Sequence, residues 1–392
     1  MKASSGYKSF LVTAGLLMVA GCSGSMYNSS MSSSGMGSGS SGSSSSGVIT
    51  QLSTMTTIGS TVDATNGDNN PYGLAIAPVS AGNITAGDLI VCNFNSNASS
   101  NASGQGTTIE DLSPAAGAKP VRIAQDASLK GCDALALNPT SDTIWAAAYT
   151  ANDNPIFKPT GTLVTTLATN FAWMSPWGQI YAAPMTSTSG GGMYGSGGST
   201  TTGPNAFYVS QAQNGSIVQV ALTSSGFQYN TIATGFPVNL NSQYGILAPA
   251  GLTYNASTDT LYIVSSANNS VVAFSNASTI PSGGIVVAAG MNNALTFTGP
   301  AAAQAKVIYS GTPLNYPVSS ALLYNGDLIV GNTGDNNMVE INPSTGMVVG
   351  EKSVDSGNAG AIFGIATTGT SVATQKIFFN DDNTNSVMEV SQ

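Results

Sequence analysis

The chain has 392 residues, of which 42% are hydrophobic and only 7% charged, with 46 Gly and no His. So much apolar sequence excludes a disordered chain, and the Gly, Ser, Thr and Asn content suits short strands joined by tight turns. The net charge of −9 excludes a surface of clustered Lys and Arg, so no nucleic acid is expected as a partner; the missing imidazole removes Ser-His-Asp catalysis and histidine metal chemistry.

Lys2 and Lys8 precede an apolar run from Phe10 to Ala20, which is too short to span a bilayer and has the form of a signal peptide. Val19, Ala20, Gly21 and Cys22 close it and resemble the bacterial lipobox. That resemblance implies a lipoprotein signal peptide over residues 1–21, acylation of Cys22 and stable anchoring in the membrane. Ser23, where Asp would retain a lipoprotein in the inner membrane, implies the outer membrane or cell surface, in either orientation.

Residues 22–47 are nearly all Ser and Gly with scattered Met, a composition expected to form a flexible tether. Met26, Met31 and Met36 recur there at even spacing, and a second Gly/Ser tract holds Met193 and Tyr194. Thioether sulfur is a soft Cu(I) ligand that protons do not displace in acid. Copper binding is one reading of these tracts, and incidental Met in low-complexity sequence is the other.

From residue 48 to 392 one pattern recurs six times: a strand opening on a small or aromatic residue, a turn, a second apolar strand, an Asn-rich loop and a third strand. The copies open at Tyr72-Gly73-Leu74, Asp133-Ala134-Leu135, Trp177-Gly178-Gln179, Ala250-Gly251-Leu252, Ser320-Ala321-Leu322 and Phe363-Gly364-Ile365. The later copies, best seen in Asn332 to Val339, resemble NHL repeats, which implies an all-β, six-bladed β-propeller. The match is loose: the Arg that usually follows the Asn pair is missing, and uneven spacing implies inserted loops. A β-sandwich or β-helix is the rival architecture. The chain stops after the third strand of copy six, while Val48 to Ile58 is an unassigned apolar run; pairing them as strands would close the ring and remove two open sheet edges.

In this fold the inner-strand entrances ring one mouth of the channel. The alignment therefore places Tyr72, Asp133, Trp177, Ser320 and Phe363, with Ala250, around a channel-mouth site that binds a small ligand or another envelope protein, or else is plugged by its own aromatic rings. Loops after the second strands add Asn93, Asn95, Ser265, Asn332 and Asn380, with Asp381 and Asp382 the best pair for calcium, although adjacent acids in such loops also serve as turn residues.

The leading functional expectation is an envelope-anchored, noncatalytic binding or scaffold protein; the alternatives are a calcium-dependent lactonase-like hydrolase and Met-based copper handling. Cys92 and Cys132 fall on the same face of neighbouring copies and are expected to form a disulfide in an oxidising envelope. Without the leader's two lysines, seven basic side chains face eighteen acidic ones. A surface of Asn, Ser, Thr and Gln carries groups that do not titrate, and near pH 2 little net charge would remain, so the composition reads as adaptation to acid.

Overall fold

The computed structural model describes residues 46–97, 102–183, 205–242, 245–291 and 294–392. Cys22, the Met26, Met31 and Met36 tether and the Met193 and Tyr194 tract lie outside them. The described residues form six antiparallel blades around a channel. Their inner strands are Asn69–Ile76, Cys132–Leu137, Pro176–Ala182, Pro249–Asn255, Pro317–Leu322 and Ile362–Thr368. Each inner strand packs against the two beside it, so the ring is complete. Second strands such as Leu89–Asn95 and Ala206–Gln211 lie between neighbouring blades, and both of their faces are covered. They accordingly read as continuous apolar runs rather than as an alternating pattern.

Closure joins the two ends of the domain. Thr54–Ser60 pairs antiparallel with Ser386–Ser391 and supplies the fourth strand of blade six. The front of the expected closing strand is different, because Val48–Gln51 forms a helical turn. Ile49 and Leu52, three residues apart, project from one side of that turn and are fully buried. Gly47 N–H donates to Val349 O at 3.0 Å and Ile49 N–H to Glu340 Oε2 at 2.7 Å, which fixes the turn on blade five before the chain enters blade six.

Every inner strand carries a register irregularity at its entrance, with one extra residue at Tyr72, Asp133, Trp177, Ala250, Val318 and Phe363. A small residue follows each of them, and adjacent blades approach closely there. A Cβ on Gly178 would lie 1.9 Å from Ala250 O, and one on Gly251 would lie 2.7 Å from Ser319 Cα.

The opposing residue on each second strand faces the next blade and is used differently around the ring. Cys92 forms the disulfide to Cys132 of blade two, with Cα atoms 5.9 Å apart. Ser210 donates to Ala250 O at 2.8 Å, Asn380 donates to Gly73 O at 3.0 Å, and Gly331 leaves room for Ile362. The disulfide closes a separation of 40 residues, so its removal (Cys92→Ala with Cys132→Ala) is expected to cost about 2–4 kcal/mol in denaturant unfolding. An unchanged midpoint would show that packing alone holds blades one and two together.

Two additions were not anticipated. The loop between the third and fourth strands of blade four carries Ile285–Ala289 and Leu295–Thr298, which extend the outer edge of blade three. A hairpin of Asn239–Ser242 and Gly245–Leu247 joins blades three and four.

Candidate functional site: an aromatic mouth over a polar chamber

The extra residue in each inner strand turns its side chain toward the channel end, and blades six, one and three supply rings there. Tyr72 is sandwiched between Phe363, with centroids 3.6 Å apart, and Phe94 at 4.3 Å, both near-parallel. Phe94 leads to Tyr149 at 6.2 Å, and Tyr149 meets Trp177 edge-on at 5.5 Å. The result is an arc of five rings across blades six, one, two and three. Blades four and five present Ala250 and Val318 instead, so the mouth is lopsided. A pocket of about 260 Å³ lies against this arc, with Ile246 of the inserted hairpin and Thr333 among its other walls.

Tyr72, Asp133, Trp177 and Phe363 are therefore brought together as the repeat alignment expected. Ser320 is not at the entrance. Pro317-Val318-Ser319 superposes on Pro71-Tyr72-Gly73 and Pro176-Trp177-Gly178, which makes Val318 the entrance residue. Ser320 sits two residues further along the strand, its hydroxyl 2.7 Å from that of Thr253. The proline at the strand start was the signal that would have set this register. Phe94 and Tyr149 were missed because they belong to second-strand exits, one residue past Asn93 and Ala148; the same alignment, carried one position further, finds both.

Beneath the rings is a chamber of about 70 Å³ that reaches Asp133, Gln179 and Ser319. Asp133 is 6% exposed, its Oδ2 has no hydrogen-bond partner, and burial pushes its carboxyl far above the ordinary range. Gln179 Nε2 and Ser319 Oγ are likewise buried without partners. An uncharged Asp133 is an O–H donor rather than an anion.

Asp381 and Asp382 take different partners, and alongside burial the charge of Asp381 helps to raise Asp382. Asp381 Oδ1 accepts from Thr384 N–H at 3.3 Å, whereas Asp382 lies beside Asn70 and Tyr72. Burial raises Asp382 to about 7, against the lowering effect of Asn70. The second-strand amides are used internally: Asn93 donates to Thr61 O and Asn332 to Pro313 O, each at 2.9 Å, while Asn95 Oδ1 accepts from Gly104 N–H at 2.9 Å. Among the described residues no group of three or more Cys, Asp or Glu is placed to hold one metal ion.

No protein-family model matches the chain, and no curated protein sequence matches it significantly. Solved structures similar to it include a gluconolactonase from Xanthomonas campestris, at 12% identity and a TM-score of 0.52, covering 83% of this chain and 87% of that one. A PQQ-bound aldose sugar dehydrogenase from Streptomyces coelicolor has 14% identity and a TM-score of 0.51, covering 86% and 98%. Virginiamycin B lyase from Staphylococcus aureus has 14% identity and a TM-score of 0.48, covering 86% and 98%. At these identities the likeness is one of fold: the chain is an all-β, six-bladed propeller.

Proposed function

We propose that the chain is an envelope-anchored, noncatalytic binding protein that holds an apolar or ring-bearing ligand, or a side chain of another envelope protein, against its aromatic mouth. The observation that carries this reading is the arc of Phe363, Tyr72, Phe94, Tyr149 and Trp177 beside a pocket of about 260 Å³. Such an arc supplies a large apolar contact area with little conformational entropy to lose. Anchoring rests on Cys22 and the lipobox-like residues before it, and an outer-membrane or surface location rests on Ser23.

The test is recovery of material from native envelope extract on the immobilised chain at acid pH, comparing wild type with Tyr72→Ala and Trp177→Ala. Retention should fall at least about tenfold in both variants, and Cys22→Ser should abolish membrane fractionation without affecting retention. Equal retention by all three proteins would overturn the reading. The lactonase-like alternative, whose calcium would rest on Asp381 and Asp382, predicts calcium-dependent hydrolysis of a lactone that Asp381→Asn with Asp382→Asn abolishes. The copper reading predicts Cu(I) binding that is lost when Met26, Met31 and Met36 are replaced together.

A further inference from the structure

The opposite end of the channel is a second and larger opening, of about 430 Å³, that nothing in the repeat pattern singled out. Its size is within the range typical of small-molecule pockets, roughly 300–1,000 Å³. Leu74, Leu135, Leu252, Ile365, Ile76 and Leu137 make its walls largely apolar, and no charged side chain lines it. Gln179 and Ser320 line both this funnel and the chamber above it, so the two spaces meet at polar side chains. There Gln179 is 5% exposed, with its Oε1 taken by Asn154 and its Nε2 free; Asp133 and Ser319 face the same chamber with orphaned oxygens. Orphaned polar groups at the blind end of an apolar funnel are costly unless a guest or solvent satisfies them.

We propose that this funnel binds an uncharged amphiphile, specifically a protonated medium-chain carboxylic acid, with its head at Gln179 and Asp133 and its tail along the leucine and isoleucine walls. Three features of the site select that chemistry. A carboxylic acid both donates and accepts, and so matches an amide, a carboxyl and a hydroxyl together. No Lys or Arg lines either space, so an ionised carboxylate would enter without a counter-charge. Hydroxyls also line the walls, but Thr253 and Ser320 pair with each other, Tyr254 donates to Asp259 and Thr367 to Leu322 O, so the walls favour apolar contact over a polyhydroxylated guest. The chamber that takes the head is roofed by Tyr72, Trp177 and Phe363, but the tail lies in the funnel at the other end of the channel, so the inference needs no ligand at the aromatic mouth.

Equilibrium dialysis of the full chain against decanoic acid and decan-1-ol, below and above the ordinary carboxylic-acid pKa range, tests it. Decanoic acid should bind saturably, one per chain, at low pH and at least about tenfold more weakly at neutral pH, while the alcohol should bind alike at both. Gln179→Leu should weaken the acid about fivefold or more. Leu252→Trp, which fills the funnel, should abolish binding of both probes. Phe94→Ala, which touches the upper pocket but neither the chamber nor the funnel, should leave both unchanged and so separates this site from the other. Because Gln179→Leu risks misfolding, Gln179→Glu provides an isosteric control: with an unchanged melting temperature it should still bind the acid at low pH. Absence of saturable binding, equal affinity for the acid at both pH values, or binding untouched by Leu252→Trp would each overturn the proposal.

Discussion

Raising the pH from about 4 to about 8 is expected to destabilise the folded domain by several kcal/mol, the reverse of the usual behaviour of a carboxylate-rich protein. Burial lifts Glu110 to about 8, helped by neighbouring Asp63, and lifts Asp111 to about 7, helped by Asp88. Asp382 is near 7 and Glu340 is raised, in each case chiefly by burial. These groups keep their protons in the folded state after the unfolded chain, with ordinary values near 4, has lost them. The folded state then binds more protons than the unfolded, so stability is full below about pH 4 and is lost as pH rises through about 7–8. One retained proton costs about 1.4 kcal/mol per pH unit across that window, a large share of a total stability of about 5–15 kcal/mol.

Asp63 sets the opposite limb. Burial would raise it, but the hydrogen bonds from Arg122, from the Asn66 and Thr65 N–H groups and from Glu110 together outweigh burial and hold it well below the usual range, so its contribution survives until strong acid. The maximum is therefore expected in moderate acid. One geometric site explains much of this. Asp111, Glu340 and Glu389 oppose Ile90, Ile329 and Phe378 at equivalent places on their third strands. Diagonally across lie Asp88 and Asp327 in blades one and five, but Lys376 in blade six, which pairs with Glu389 at 2.9 Å. Blade six thus has an ion pair where the other two have acid facing acid. Urea unfolding at several pH values should show the decline, and Glu110→Gln with Asp111→Asn should flatten it. Stability that is constant or rises from pH 4 to 8 would rule it out.

The repeats made the fold legible because each blade must present the same small residue just after its entrance and the same buried second strand. The Cys92–Cys132 bridge followed from that register, since one cysteine ends a second strand and the other begins the next inner strand. Where the repeat weakens, so does the reading. Ser319 and Ala321 are both small and lie two residues apart, so the entrance of blade five was set two residues late; only the preceding Pro317 distinguishes the registers. Val48–Gln51 contains β-branched residues, and its helical turn depends on Glu340, nearly 300 residues away, accepting from Ile49. The lower funnel had no signature because leucines and isoleucines at period two are equally what blade packing requires, and Gln179 is polar in a place where sequence gives no sign that its amide lacks a partner.

Deleting residues 46–60 is expected to unfold the whole propeller rather than only its seam. The segment performs three tasks: Ile49 and Leu52 fill a buried site on blade five, Gly47 and Ile49 satisfy Val349 O and Glu340, and Thr54–Ser60 completes blade six. Burying Ile49, Leu52 and Ile58 alone is worth about 1.5–3 kcal/mol each, and their loss leaves Glu340 without the backbone donor at Ile49. It also exposes the full edge of Ser386–Ser391, an open template for association. The summed loss approaches the whole stability of a typical domain, so the truncated chain should lack a cooperative melting transition and should aggregate. Ile49→Ala with Leu52→Ala retains the strand but removes the plug, and should lower stability by roughly 4–8 kcal/mol in urea. If the truncated chain melted at the wild-type temperature, closure of the ring would have to reside in the remaining inner-strand contacts, and the closing segment would be a covering rather than a latch.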